Sequence, residues 1–131
     1  MAQKRILVIN AVGLTEDLIE KYSVHTKAYL AKNKKSYLDA PIPAVTCTSQ
    51  ANMLTGKNPC DHGIVANGWL FRDLSQIMLW RQSNALVQSD KIWDVIKKRD
   101  PKFTVANMFW WYNMYSTVDF SITPRPIYRS N

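Results

Sequence analysis

The sequence has no run of apolar residues near the roughly twenty that a membrane-spanning helix requires. It has two cysteines in 131 residues, Cys47 and Cys60, too few for a disulfide framework. It has no internal repeat, low-complexity tract or flexible linker. Acidic residues are the scarce charge: 10 Asp and Glu stand against 17 Lys and Arg, a net charge of +7. Such an excess attracts anions. The basic residues are nevertheless scattered, apart from Lys32, Lys34 and Lys35, and Lys97, Lys98 and Arg99. Both clusters fall at expected helix ends, where cations complement the dipole. Dispersed charge is not a nucleic-acid footprint, so neither a specific nucleic-acid partner nor a membrane partner is expected. The opening MAQKRILVINAVGL has the basic-then-apolar order of a leader, but Asn10 interrupts its short apolar run and no small-residue cleavage site follows. It reads instead as a buried strand of a cytoplasmic protein.

What remains is ordinary for a globular domain, at 47% hydrophobic and 21% charged. The length fits one domain or part of one. Residues 4–12, KRILVINAV, are rich in Val and Ile and predict a strand buried on both faces, as in a parallel sheet. Gly13 ends it, and Thr15 is placed to cap a helix over 16–22 with two acids in its first turn. Strand, glycine turn and helix in that order indicate an α/β fold. A second helix is expected over 26–34 and a strand over 36–40, with His25 on the surface. Residues 64–79 read as an irregular loop or hairpin carrying Arg72 and Arg81, which by default are surface residues and otherwise phosphate or carboxylate contacts. KIWDVIKKR predicts a helix that ends before Pro101, with Ile92, Val95 and Ile96 on one face. Strands are expected over 103–108 and 118–122. Between them, 109–115, FWWYNMY, is either packed core or a stacking platform for a base.

The most informative stretch is 41–67, PIPAVTCTSQANMLTGKNPCDHGIVAN. Pro41 and Pro43 discourage helix before it. Thr46, Thr48 and Ser49 then open a short helix, and Gly56 stops it. A hydroxyl at a helix start is most often only a cap. It is also where a nucleophile meets a phosphate, because first-turn N–H groups point at the anion.

The run Thr55-Gly56-x-x-Pro59-x-x-His62-Gly63, with Thr46 nine residues before it and Asn67 twenty-one after Thr46, resembles the nucleophile region of the type I phosphodiesterase/nucleotide pyrophosphatase family. That family is a branch of the alkaline phosphatase superfamily. NGWLFRD and FWWYNMYSTVDFSITPRP also resemble its segments. The resemblance implies an alkaline-phosphatase-like sandwich, a mainly parallel central sheet flanked by helices, incomplete in this chain. Residues 1–131 would be the N-terminal portion of a single catalytic domain several times longer, and PRPIYRSN would close the piece without a terminating element. The implied activity is metal-dependent hydrolysis of phosphodiester or pyrophosphate bonds in small, nucleotide-like esters. Thr46 would be the nucleophile and, as an alkoxide, a metal ligand. The N–H of Cys47 and the amide of Asn67 would hold phosphate oxygens. Two divalent ions, zinc or manganese, would clamp the attacking and leaving oxygens, bound mostly by residues absent from this chain. His62 would be structural.

One departure stands out. Where the family ends its first strand in Asp-Gly, with the aspartate on metal, this chain has Val12-Gly13. Valine cannot ligate. Asn10, two residues earlier on the same strand face, offers only an amide oxygen, and zinc prefers N, S and carboxylate. Three other readings therefore stay open: a metal-deficient relative acting as a binding or scaffold protein, a Cys47 nucleophile with His62 as base, and a nucleic-acid module. The piece alone is expected to be inactive, and to self-associate through exposed apolar surface.

Overall fold

The computed structural model describes residues 5–124. The chain divides into two units, Met1–Leu38 and Asp39–Asn131.

The first unit contains two short helices. α1, Glu16–Tyr22, is capped by Thr15, whose hydroxyl accepts from the Leu18 N–H at 3.3 Å, with Glu16 and Asp17 in its first turn. α2, Val24–Leu30, starts two residues earlier and ends sooner than expected. Its carbonyl at Tyr29 is taken by the Asn33 side-chain amide at 2.7 Å, which turns 31–33 out of the helix. Neither helix buries a residue.

The strand expected over 4–12 is not formed: residues 5–12 carry no strand, and Lys4 lies outside the described residues. A strand exists only where a neighbour completes its hydrogen-bond ladder, and among the described residues nothing pairs with 5–12. Ile6, Leu7, Val8, Ile9 and Val12 are each more than 60% exposed, Leu7 the most at 83%. The strand expected over 36–40 is absent for the same reason. Its start is tied back to α1 by Lys35, just before it, which pairs with Glu16 at 2.7 Å, and by the Tyr37 hydroxyl, which donates to the same carboxylate at 3.5 Å.

The second unit holds the core. α3, Thr46–Thr55, ends at Gly56, which sits in the left-handed region at φ 64. α4, Pro59–His62, is a single turn stopped by Gly63 at φ 78. β1, Gly68–Phe71, pairs antiparallel with β2, Gln76–Leu79, in the register Gly68↔Leu79 to Phe71↔Gln76. A side chain at 68 would meet Leu79 Cδ2 at 2.5 Å, so the end of the Leu79 side chain would have to turn aside to admit one. α5, Ile92–Arg99, carries Lys97, Lys98 and Arg99 in its last turn. Its buried residue is Trp93; of the apolar face expected from the sequence, Ile92 and Val95 are exposed and Ile96 is half-buried. β3, Ala106–Met108, pairs parallel with β4, Phe120–Ile122.

Cys47, Ala51, Ile64 and Tyr112 form the centre of the core, with Trp69, Trp80, Leu86, Val87 and Trp111 packed around it. The architecture is thus mixed α/β, with two small sheets among the described residues in place of the expected mainly parallel central sheet. The seven-residue tail of PRPIYRSN, 125–131, lies outside the described residues. No helix among the described residues is long and apolar enough to cross a membrane.

Candidate active site at the start of helix α3

Val45 is extended, at φ −119 and ψ 159, and Thr46 is the first helical residue of α3. The entry is fixed locally, since the Val45 N–H donates to the Pro43 carbonyl at 3.0 Å. The first N–H groups of a helix have no acceptor within it. Ser49 N–H reaches the Val45 carbonyl at 2.9 Å, and Cys47 N–H donates to the Asn67 Oδ1 at 2.9 Å. Asn67 is held from its other side as well, because its carbonyl accepts from the Trp80 N–H at 2.9 Å at the open end of the β1–β2 hairpin. A chain separation of twenty residues is bridged by that one side-chain bond.

The geometry brings Asn67 to the helix start that carries Thr46. It also occupies the Cys47 N–H, which the family resemblance had assigned to a phosphate oxygen. With Oδ1 engaged, the Asn67 amide nitrogen is the group left to donate outward. Thr46 is half-buried, and its hydroxyl makes no hydrogen bond among the described residues.

His62 is fully buried. Its Nδ1 accepts from the Ile64 N–H at 3.1 Å, so its Nε2 carries the proton and donates to Asn52 Oδ1 at 2.7 Å. Burial pushes its pKa below the usual histidine value, against the pull of Asp61. Both ring nitrogens are committed, Nδ1 to the backbone just after α4 and Nε2 to Asn52 on α3. That leaves no nitrogen to act as base for Cys47, whose own thiol is buried and pushed up by burial. Arg72 and Arg81 are exposed, and so is His25.

Sequence reasoning missed how the site is supported. The Gln50 side chain, on the second turn of α3, accepts from the Trp111 N–H at 2.8 Å. Tyr112 is buried, with its hydroxyl beside the Cys47 thiol, and that burial raises the phenol's pKa far above its usual value. Trp111 stacks at 5.2 Å on Trp80. The aromatic stretch therefore serves mainly as core at Trp111 and Tyr112, while Phe109 and Tyr115 are exposed. Its density of aromatics was the only signal available.

Residues 6–131 match the family model described as Type I phosphodiesterase / nucleotide pyrophosphatase. The chain belongs to that family. No curated protein and no solved structure matches it.

The family is one of phosphodiesterases and is typically metal-dependent, so the donors present must be tested against a metal. They do not fit. Among the described residues no three His, Cys, Asp or Glu side chains gather to hold an ion. Val12 has no donor atom, and Asn10 is a half-buried amide in the first unit. Thr46 supplies one oxygen, whereas zinc sites take three or four protein ligands.

Proposed function

We propose that residues 1–131 form the nucleophile-bearing N-terminal part of a longer catalytic domain that hydrolyses phosphodiester or pyrophosphate bonds in small, nucleotide-like esters. Thr46 Oγ1 attacks phosphorus, the bond to the leaving oxygen breaks, and that oxygen takes up a proton. Water then cleaves the phosphothreonyl ester, returning the hydroxyl. The Thr46 N–H and the Asn67 amide nitrogen donate to the non-bridging oxygens as charge builds there. Cys47 enters through its N–H, which orients Asn67. This reading includes two divalent ions, zinc or manganese, with ligands supplied mostly by residues outside this sequence. It also includes a cytoplasmic location and a small phosphate ester as the partner. Self-association of the piece alone, through 5–12 of two copies, belongs to the same reading.

The observation that supports it is the Cys47 N–H to Asn67 Oδ1 bond, which joins the two ends of the family motif at one helix start. The test uses the longer protein, loaded with zinc or manganese and given a chromogenic phosphodiester. Thr46→Ala is expected to lower kcat by roughly three orders of magnitude or more, and the 131-residue chain alone to show no turnover. Full activity in Thr46→Ala would overturn the nucleophile assignment.

A second reading, a metal-deficient relative kept as a binding or scaffold protein, is favoured by one observation. Valine stands at 12, where the family carries its aspartate, and it is exposed rather than replaced by another donor. Val12→Asp in the longer protein separates the two readings. A protein that neither takes up metal nor turns over, with or without that change, is the scaffold.

A further inference from the structure

Lys91 is a lysine 1% exposed to solvent with no carboxylate on its ammonium. Its Nζ donates to the Tyr112 carbonyl at 3.0 Å and to Asn84 Oδ1, and lies 5.5 Å from the centre of the Trp93 ring. Asp94, the nearest acid on its own helix, is occupied: one oxygen accepts from the Lys91 backbone N–H at 2.8 Å and the other from the Thr117 hydroxyl. A buried ammonium with neutral partners is costly, and an apolar side chain of similar length would fill the same space more cheaply.

The residue it holds is itself strained. Tyr112 sits at φ 59, in the left-handed region that residues other than glycine seldom adopt. Such a backbone persists only where its surroundings over-determine it. Lys91 fixes its carbonyl, and Gln50 fixes the neighbouring Trp111 N–H. Thus pinned, the Tyr112 side chain lies in the core against Cys47, and the Cys47 N–H holds Asn67.

We propose that Lys91 is a positioning residue for the anion-binding start of α3, acting through Tyr112 and Cys47 on Asn67. The inference rests on the Thr46–Asn67 end being an anion site, as argued above. Burial lowers the Lys91 pKa to about 8, partly offset by Asp94. Among the described residues, the other titratable groups along this path are Tyr112 and Cys47, both pushed up and so uncharged at that pH. As pH rises through about 8 the native ammonium loses its proton while an unfolded lysine keeps one up to its ordinary value. The unfolded chain then binds more protons, so stability rises with pH over that interval. A purely structural lysine would show that rise and nothing at α3.

The test is a pH titration of the 131-residue chain between pH 7 and 10, followed by the amide resonance of Cys47 and the side-chain amide of Asn67. Both should move with one midpoint near 8, and Lys91→Met should abolish the step. Sulfate, whose charge is constant over this range, is the binding probe. Its affinity should fall about fivefold across the step in the wild type and stay flat in Lys91→Met. Resonances that stay still near pH 8, or a step that persists in Lys91→Met, would overturn the proposal. If Lys91→Met does not fold, the wild-type resonances decide. Absence of any sulfate binding would count against the anion site alone, and the resonances would still decide for Lys91.

Discussion

The two units of this chain have similarly apolar sequences and opposite fates. In Met1–Leu38 the most strand-like stretch of the protein lies exposed, and neither helix buries a side chain. In Asp39–Asn131 a helix with weak amphipathic patterning buries half its residues: Cys47, Thr48, Gln50, Ala51 and Leu54. The difference is one of partners. α3 is met by Ile64, by the aromatic segment at Trp111 and Tyr112, and by Asn67 on its first turn. Residues 5–12 meet no strand among those described. Periodicity reports what a segment could bury, and packing decides whether it does.

The largest expected effect follows directly. Ile64 is fully buried, so Ile64→Ala should cost about 2–5 kcal/mol of unfolding free energy, from lost burial and the cavity left behind. Ile6 is 78% exposed, so Ile6→Ala should fall within about 0.5 kcal/mol of wild type. Denaturant midpoints of the two variants measure this. Equal losses would break the comparison, and would mean that 5–12 is packed as its sequence suggests.

A smaller effect sharpens it. Gly56 and Gly13 both have left-handed backbones, at φ 64 and φ 78, and a methyl at either would meet nothing within 4 Å. Backbone strain is therefore the same local cost, about 1 kcal/mol for alanine. At Gly56 the strain is borne by a helix packed into the core, so Gly56→Ala should shift the cooperative transition by that amount. Gly13 closes a turn beside an exposed segment. Gly13→Ala should relax locally and leave the transition where it was. Equal shifts would show that the first unit melts with the core.

Legibility in the sequence followed the same divide. Local signals read correctly: Thr15 as the cap of α1, Gly56 as the stop of α3, α5 ending before Pro101, and the short strands within 103–108 and 118–122. Each depends on a few neighbouring residues. The strand over 5–12 failed because its formation depends on a partner that its own sequence does not specify. At the site, the family motif pointed to Thr46 and Asn67, and the two ends lie at one helix start. Motif reading could not say that Asn67 takes the Cys47 N–H. Nor could it find Gln50, Tyr112 and Lys91, since their roles rest on contacts spanning 21 and 61 residues of chain.

The smallest prediction concerns a fault inside the well-packed unit. Thr48 is fully buried on the first turn of α3, and its hydroxyl has no hydrogen-bond partner among the described residues. An unsatisfied buried hydroxyl costs about 1–3 kcal/mol relative to a satisfied one. Valine keeps the branched shape while replacing the hydroxyl with a methyl. Its helix propensity is close to that of threonine. Thr48→Val should therefore be neutral or raise stability by up to about 1 kcal/mol, against the usual direction for a core substitution. The same change leaves the Cys47 N–H and Asn67 untouched, so sulfate affinity at the α3 start should not alter. A loss of stability in Thr48→Val would show that the hydroxyl has found an acceptor, and a loss of sulfate affinity would place that acceptor at the site itself.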